Sequence, residues 1–203
     1  MIEVEKNFDL RPGDKERLIQ GAHLIAEKRF TDVYYDTSDY KLTGNDYWLR
    51  QRDGRWELKV PLSTKGIHER STDQYRELET ETEIAHELSL QIKKNLAEAL
   101  ETSGFEAFAS IVTTRESFQK GDFHLDFDEM DFGFTTFEVE LMVATLDEVN
   151  SAEKRIIDFS TEHSIASTVG HGKVIEYILR HNPAHYALLI AKGIVREQGS
   201  ESN

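Results

Sequence analysis

No cysteine occurs among the 203 residues, which excludes disulfides, thiolate metal ligands and a cysteine nucleophile and fits a reducing compartment. Positive charge is also scarce. Twenty-four Lys and Arg stand against 38 Asp and Glu, a formal net charge of −14. A nucleic-acid or anionic-membrane surface needs a basic footprint, so neither partner is expected. No run is long and apolar enough to span a bilayer. The opening Met1-Ile2-Glu3-Val4-Glu5-Lys6 lacks the basic-then-apolar layout of a signal peptide. There is no Gly/Ser/Pro-rich linker and no internal repeat, so the expected organisation is one domain over 1–195 and a disordered tail over 196–203. The bulk properties imply an acidic, soluble, cytoplasmic protein, taken as a monomer.

What is present is paired charge. Glu3-Val4-Glu5, Asp126-Phe127-Asp128 and Glu138-Val139-Glu140 each separate two acids by one apolar residue. Successive side chains of a strand face opposite ways, so each pair sets two carboxylates on one face, roughly 7 Å apart. Such acids repel unless water or a cation separates them, and Mg²⁺ binds through oxygen ligands. A sheet with one wet face shows the same alternation for no functional reason. Other strands weaken that plainer reading. Trp48-Leu49-Arg50-Gln51-Arg52 and Trp56-Glu57-Leu58-Lys59-Val60 alternate in the same way, and Tyr75, Glu77 and Glu79 share a face. Both signs of charge line the sheet.

Alternation and turn residues predict eight strands at about 2–8, 28–36, 46–53, 55–61, 73–80, 109–119, 122–129 and 134–143. Asp53-Gly54 marks a two-residue hairpin. The fold class expected is α+β, an eight-stranded, mostly antiparallel closed barrel whose charged face lines the interior. Its apolar exterior then needs a cover of helices. A short helix capped by Asp14, one spanning about 83–102, one opened by the capping box Thr145-Leu146-Asp147-Glu148, and a pair split at Asn182-Pro183 supply it.

Some motifs mislead. Gly170-His171-Gly172-Lys173 lacks the spacing and hydroxyl of a P-loop and is read as a loop aiming Lys173. His68, His86, His163 and His171 show no metal-ligand spacing, so surface or cap roles are expected. No nucleophile elbow is present.

Several segments taken in order resemble the CYTH, or triphosphate tunnel metalloenzyme, family: Ile2-Glu3-Val4-Glu5, Tyr34-Tyr35-Asp36-Thr37, Trp48 to Arg52, Trp56 to Lys59 and Tyr75 to Leu78. The likeness continues through Val112 to Arg115, Asp126 to Asp128, Asp131-Phe132-Gly133, Phe137 to Glu140 and Lys173. It is strongest toward the animal branch that acts on thiamine triphosphate. The resemblance implies a tunnel in which Glu3, Glu5, Asp126, Glu138 and Glu140 hold Mg²⁺, with Mn²⁺ as an alternative. It further implies that Arg50, Arg52, Lys59, Arg115 and Lys173 bind the triphosphate and that Trp48 contacts the thiamine moiety. Tyr34 and Lys59 match a pair that helps activate water. Like charge from Arg50 and Arg52 is expected to lower the Lys59 pKa enough for it to accept a proton. Tripolyphosphatase, adenylate cyclase and non-catalytic polyphosphate binding remain open alternatives.

The chain departs from the family's Glu-x-Glu-x-Lys signature, because Lys6 stands one residue early and Asn7 takes the signature position. In a regular strand Lys6 then faces outward and Asn7 inward, whereas a bulge would turn Lys6 into the tunnel.

Overall fold

The computed structural model describes residues 2–62, 72–165 and 172–195. The eight strands are β1 (Ile2–Phe8), β2 (His23–Thr37), β3 (Trp48–Arg52), β4 (Arg55–Pro61), β5 (Asp73–Leu78), β6 (Phe105–Lys120), β7 (Phe123–Met130) and β8 (Thr135–Val143). They close into a barrel in the order β1-β5-β4-β3-β2-β6-β7-β8, with every neighbouring pair antiparallel. The Asp53-Gly54 hairpin forms with both residues at positive φ, 46° and 86°, as a two-residue turn matched to strand twist requires.

β2 and β6 run further than the alternation predicts. The added start of β6 pairs from Phe105 against Thr37 to Ala107 against Tyr35, whereas the added start of β2, from His23 against Gln119 to Glu27 against Glu116, is mostly exposed on both faces. With neither face of that β2 segment consistently buried, selection for alternation is weak there and the pattern fades.

The helices are α1 (Asp14–Leu18), α2 (Glu81–Glu87), α3 (Leu96–Thr102), α4 (Val149–Glu162), α5 (Lys173–His181) and α6 (Pro183–Ala191). The single helix expected over 83–102 is two. Ser89 takes a left-handed φ of 54°, and the Leu90 N–H donates to the Ala85 carbonyl, closing α2 in a C-terminal motif of the Schellman kind. Asn95 then caps α3 by accepting from the Glu98 N–H at 2.9 Å. Capping chemistry overrides a continuous apolar period, and Ile92 is left 38% exposed. The Thr145 capping box is present and leads through one 3-10 turn into α4.

The barrel's apolar side faces out, under the helices. Val4, Phe8, Phe137, Val139 and Leu125 pack against Ile156 and Phe159 of α4. Leu49, Leu58 and Leu78 pack under α2 and α3, and Ile111 and Met130 pack under α5 and α6. The inversion expected from the sequence is thus realised: the hydrophobic cladding lies outside and the polar faces surround a cavity. The tail over 196–203, His68, Gly170 and His171 lie outside the described residues.

Candidate functional site

A cavity of about 650 Å³ runs through the barrel. All twelve site residues expected from the sequence line it: Glu3, Glu5, Tyr34, Trp48, Arg50, Arg52, Lys59, Arg115, Asp126, Glu138, Glu140 and Lys173. The i, i+2 rule accounts for the placement on each strand.

β1 pairs with β8 in unbroken register from Ile2 against Val143 to Phe8 against Phe137, so it contains no bulge. Asn7 therefore lines the cavity, where its Oδ1 accepts from the Thr136 hydroxyl at 3.2 Å. Lys6 points into the outer layer, with Nζ 5.7 Å from the Phe8 ring centre. The alternation argument for this strand holds.

Carboxylates and cations are distributed unevenly. Arg115 is gripped by Asp126, by Asp128 through Nε and Nη2 at 2.5 and 2.7 Å, and by Glu138 at 2.9 Å. Arg52 and Lys173 both reach Asp32, at 2.7 Å each, and Arg50 pairs with Glu57 at 2.5 Å. Asp32 is fully buried, and although burial alone would raise its pKa, this ring of cations holds its carboxyl well below the usual range. Burial lowers Lys173 to about 8, only partly opposed by Asp32.

Lys59 Nζ lies 2.5 Å from Glu3, 2.8 Å from Glu5 and 3.9 Å from Glu77. This overturns the expected depression of its pKa. Burial disfavours the ammonium, but three carboxylates outweigh both burial and Arg50 and raise its pKa well above the ordinary lysine value. Lys59 is held protonated. Tyr34 is set opposite Arg50 in register, and burial together with Asp32 pushes its phenol up to about 12. It is a donor, not a phenolate.

The opposite imbalance appears at Glu5 and Glu140. Burial, followed by repulsion from Glu3 and other acids, raises both carboxyls well above the usual range. Among the described residues Glu140 has no cationic side chain within 4 Å. Oxygens of Glu3, Glu5 and Glu140 lie within 4.8 Å of one another, as do donor atoms of His124, Asp126 and Glu140. The first set is all hard oxygen, crowded and under-neutralised, and it fits a divalent cation. Neither Asp32 nor His124 was found from the sequence. Both were accessible by the same rule, since Asp32 precedes Tyr34 by two residues and His124 precedes Asp126 by two.

Trp48 is 8% exposed and donates its indole N–H to Asp46 at 2.9 Å. His163, for which a surface or cap role is expected, is the C-cap of α4, with Nδ1 3.0 Å from the Phe159 carbonyl.

The fold recurs in solved structures. One is the PH1819 protein of Pyrococcus horikoshii OT3, with a TM-score of 0.66, 20% identity and coverage of 88% of this chain and 98% of that one. Another is HpAC1 of Hippeastrum, whose structure is described as revealing a dominant triphosphatase activity, with a TM-score of 0.53, 16% identity and coverage of 88% and 94%. Human thiamine-triphosphatase is 32% identical over 220 positions, spanning 100% of this chain and 95% of the human protein. The Macaca fascicularis thiamine-triphosphatase is 32% identical over 208 positions, spanning 94% and 90%. The CYTH domain matches residues 1–169, and this chain, with its closed barrel and inward charges, belongs to the CYTH family.

Proposed function

We propose that the protein hydrolyses thiamine triphosphate to thiamine diphosphate and phosphate, with Mg²⁺ or Mn²⁺ as cofactor. The observation that carries this reading is the surplus of crowded carboxylates at Glu3, Glu5 and Glu140, set across one cavity from Arg50, Arg52, Arg115 and Lys173. Full-length similarity to the human and macaque thiamine-triphosphatases supports the choice of substrate.

Glu3, Glu5 and Glu140 would hold the cation, with Asp126 and Glu138 beside them. The chemistry such an ion would supply there is neutralisation of phosphate charge and polarisation of the phosphoryl group. Arg50, Arg52, Arg115 and Lys173 exchange their carboxylate partners in part for phosphate oxygens, and guanidinium groups do so bidentately. Lys59, protonated, neutralises charge at the same end as Glu3 and Glu5. Tyr34 donates a hydrogen bond and orients either the attacking water or a phosphate oxygen. Phosphoryl transfer passes through a loose transition state that demands positioning and charge stabilisation more than a strong base, so a protonated Lys59 is compatible with catalysis.

The test is phosphate release from thiamine triphosphate, tripolyphosphate and ATP, each with Mg²⁺, with Mn²⁺ and with EDTA. The expected result is metal-dependent release with the highest kcat/KM on thiamine triphosphate. Equal rates on tripolyphosphate would mean that the organic group is not read. Tight binding of all three without release would make the protein a polyphosphate-binding module.

A further inference from the structure

We propose that Asp46 determines specificity at this site by selecting triphosphate esters whose organic group carries a positive charge. This rests on the reading of the cavity as a triphosphate hydrolase. Asp46 follows the 3-10 turn Thr43–Asn45 and has a left-handed φ of 65°, a conformation that Asp and Asn tolerate better than other side-chain-bearing residues. The turn is fixed from two sides. Asp36 accepts from the Leu42 and Thr43 N–H groups at 2.9 and 2.8 Å and from the Thr43 hydroxyl at 2.7 Å. The same hydroxyl lies 2.7 Å from Nε2 of the fully buried His185 on α6.

So anchored, one Asp46 oxygen, Oδ1, accepts from both the Trp48 indole at 2.9 Å and the Tyr75 hydroxyl at 2.8 Å. The two rings come from β3 and β5, on either side of β4 in the barrel. Asp46, Trp48 and Tyr75 are 7%, 8% and 6% exposed, and all three line the cavity.

The consequence is chemical. An indole has one N–H and a phenol one O–H, and Asp46 takes both. Neither ring keeps a donor for a ligand. The Tyr75 ring already lies under the Lys59 ammonium, 5.5 Å from its centre, so what this wall offers a ligand is the Trp48 ring and the Asp46 carboxylate, a pairing that favours a cation without N–H groups. A thiazolium ring fits that description, because its quaternary nitrogen cannot be recognised by a hydrogen bond. A neutral nucleoside gains nothing from the charge, and tripolyphosphate has no ring to place.

The experiment compares Asp46→Asn with wild type. Asn keeps an acceptor oxygen for both donors and tolerates the left-handed backbone, so the charge is removed while the two-donor clasp can stay. Two readouts apply: the ratio of kcat/KM for thiamine triphosphate to that for tripolyphosphate, and calorimetric binding of thiamine diphosphate against its neutral 3-deaza analogue. In Asp46→Asn the catalytic ratio falls about tenfold, mostly through KM, the scale expected for losing one ion pair at a partly desolvated site. Wild type binds the cationic ligand more tightly than the neutral one, and Asp46→Asn does not. If wild type prefers thiamine triphosphate but does not distinguish the two ring systems, or if Asp46→Asn retains the full preference, Asp46 is a structural clasp and the proposal is overturned. The ring-system comparison on wild type decides the matter even if the variant does not fold. Absence of any thiamine triphosphate turnover in wild type would overturn the functional reading itself.

Discussion

Around the barrel, β7, β8 and β1 present carboxylates to the cavity, whereas β6, β3 and β4 present cations, and the two arcs differ in how far their charges are satisfied. On the cationic arc three guanidiniums have fixed carboxylates: Arg52 on Asp32, Arg50 on Glu57, Arg115 on three acids. Where β1 meets β5 and β8 the balance reverses: one ammonium, Lys59 of β4, serves Glu3, Glu5 and Glu77, and Glu140 draws repulsion from Glu3, Asp126 and Glu138. A satisfied buried charge is part of the fold, and removing its partner strands the remainder. A surplus charge is held in place by the fold at a cost, and it marks where an additional cation belongs.

The sharpest way to break this contrast is Arg115→Ala. It removes the cation shared by Asp126, Asp128 and Glu138, leaving Asp128 only Lys173 at 3.7 Å and Asp126 only His124 at 2.9 Å, so unfolding free energy should drop by about 3–5 kcal/mol, measured by denaturant titration in EDTA. A loss below about 1 kcal/mol would place Arg115 with the loosely held groups instead. On the other arc, Glu140→Gln should leave the melting temperature in EDTA unchanged or higher, because repulsion is relieved. Metal-dependent turnover should still fall on the order of 10²–10³-fold. A variant that melts early would show that Glu140 is structural.

Lys173 tests whether the cationic arc is uniform. Its pKa of about 8 means that its charge disappears as pH rises through that value, so kcat/KM should decline on the alkaline side near pH 8. Lys173→Arg stays charged and should move that limb upward. An unmoved limb would assign the titration to another group. The smallest expected effect is at Asn7. Asn7→Lys adds a cation beside the surplus acids and should lower KM about two- to threefold at low salt, with the gain lost at high salt. Lys6→Ala should leave KM unchanged.

The strands were readable because each buries one face, which imposes a period of two on the sequence. The candidate site was readable for the same reason, since residues such as Glu3 and Glu5, or Arg50 and Arg52, are related by i, i+2 and need no long-range information. Helices 81–87 and 96–102 were merged because their apolar positions continue in phase, while the cap at Asn95 and the left-handed Ser89 depend on local hydrogen bonds that periodicity does not register. Asp46 lies two residues before Trp48, and its role is not legible in the sequence because its two donors converge only once β3 and β5 have taken their places in the barrel.

The sequence by itself determined which side chains share a face, and from that the charged lumen, the apolar cladding and the inward turn of Asn7. Only the tertiary structure decided which charge meets which. Lys59 shows why. Its neighbours by hairpin logic are the arginines of β3, which would lower its pKa. Barrel closure instead brings Glu5 to it across 54 residues, with Glu3 and Glu77 alongside, and the sign reverses. Periodicity is local and survives in one dimension. Electrostatic partnership depends on the approach of strands distant in sequence, and that is fixed only when β1 closes the barrel between β5 and β8.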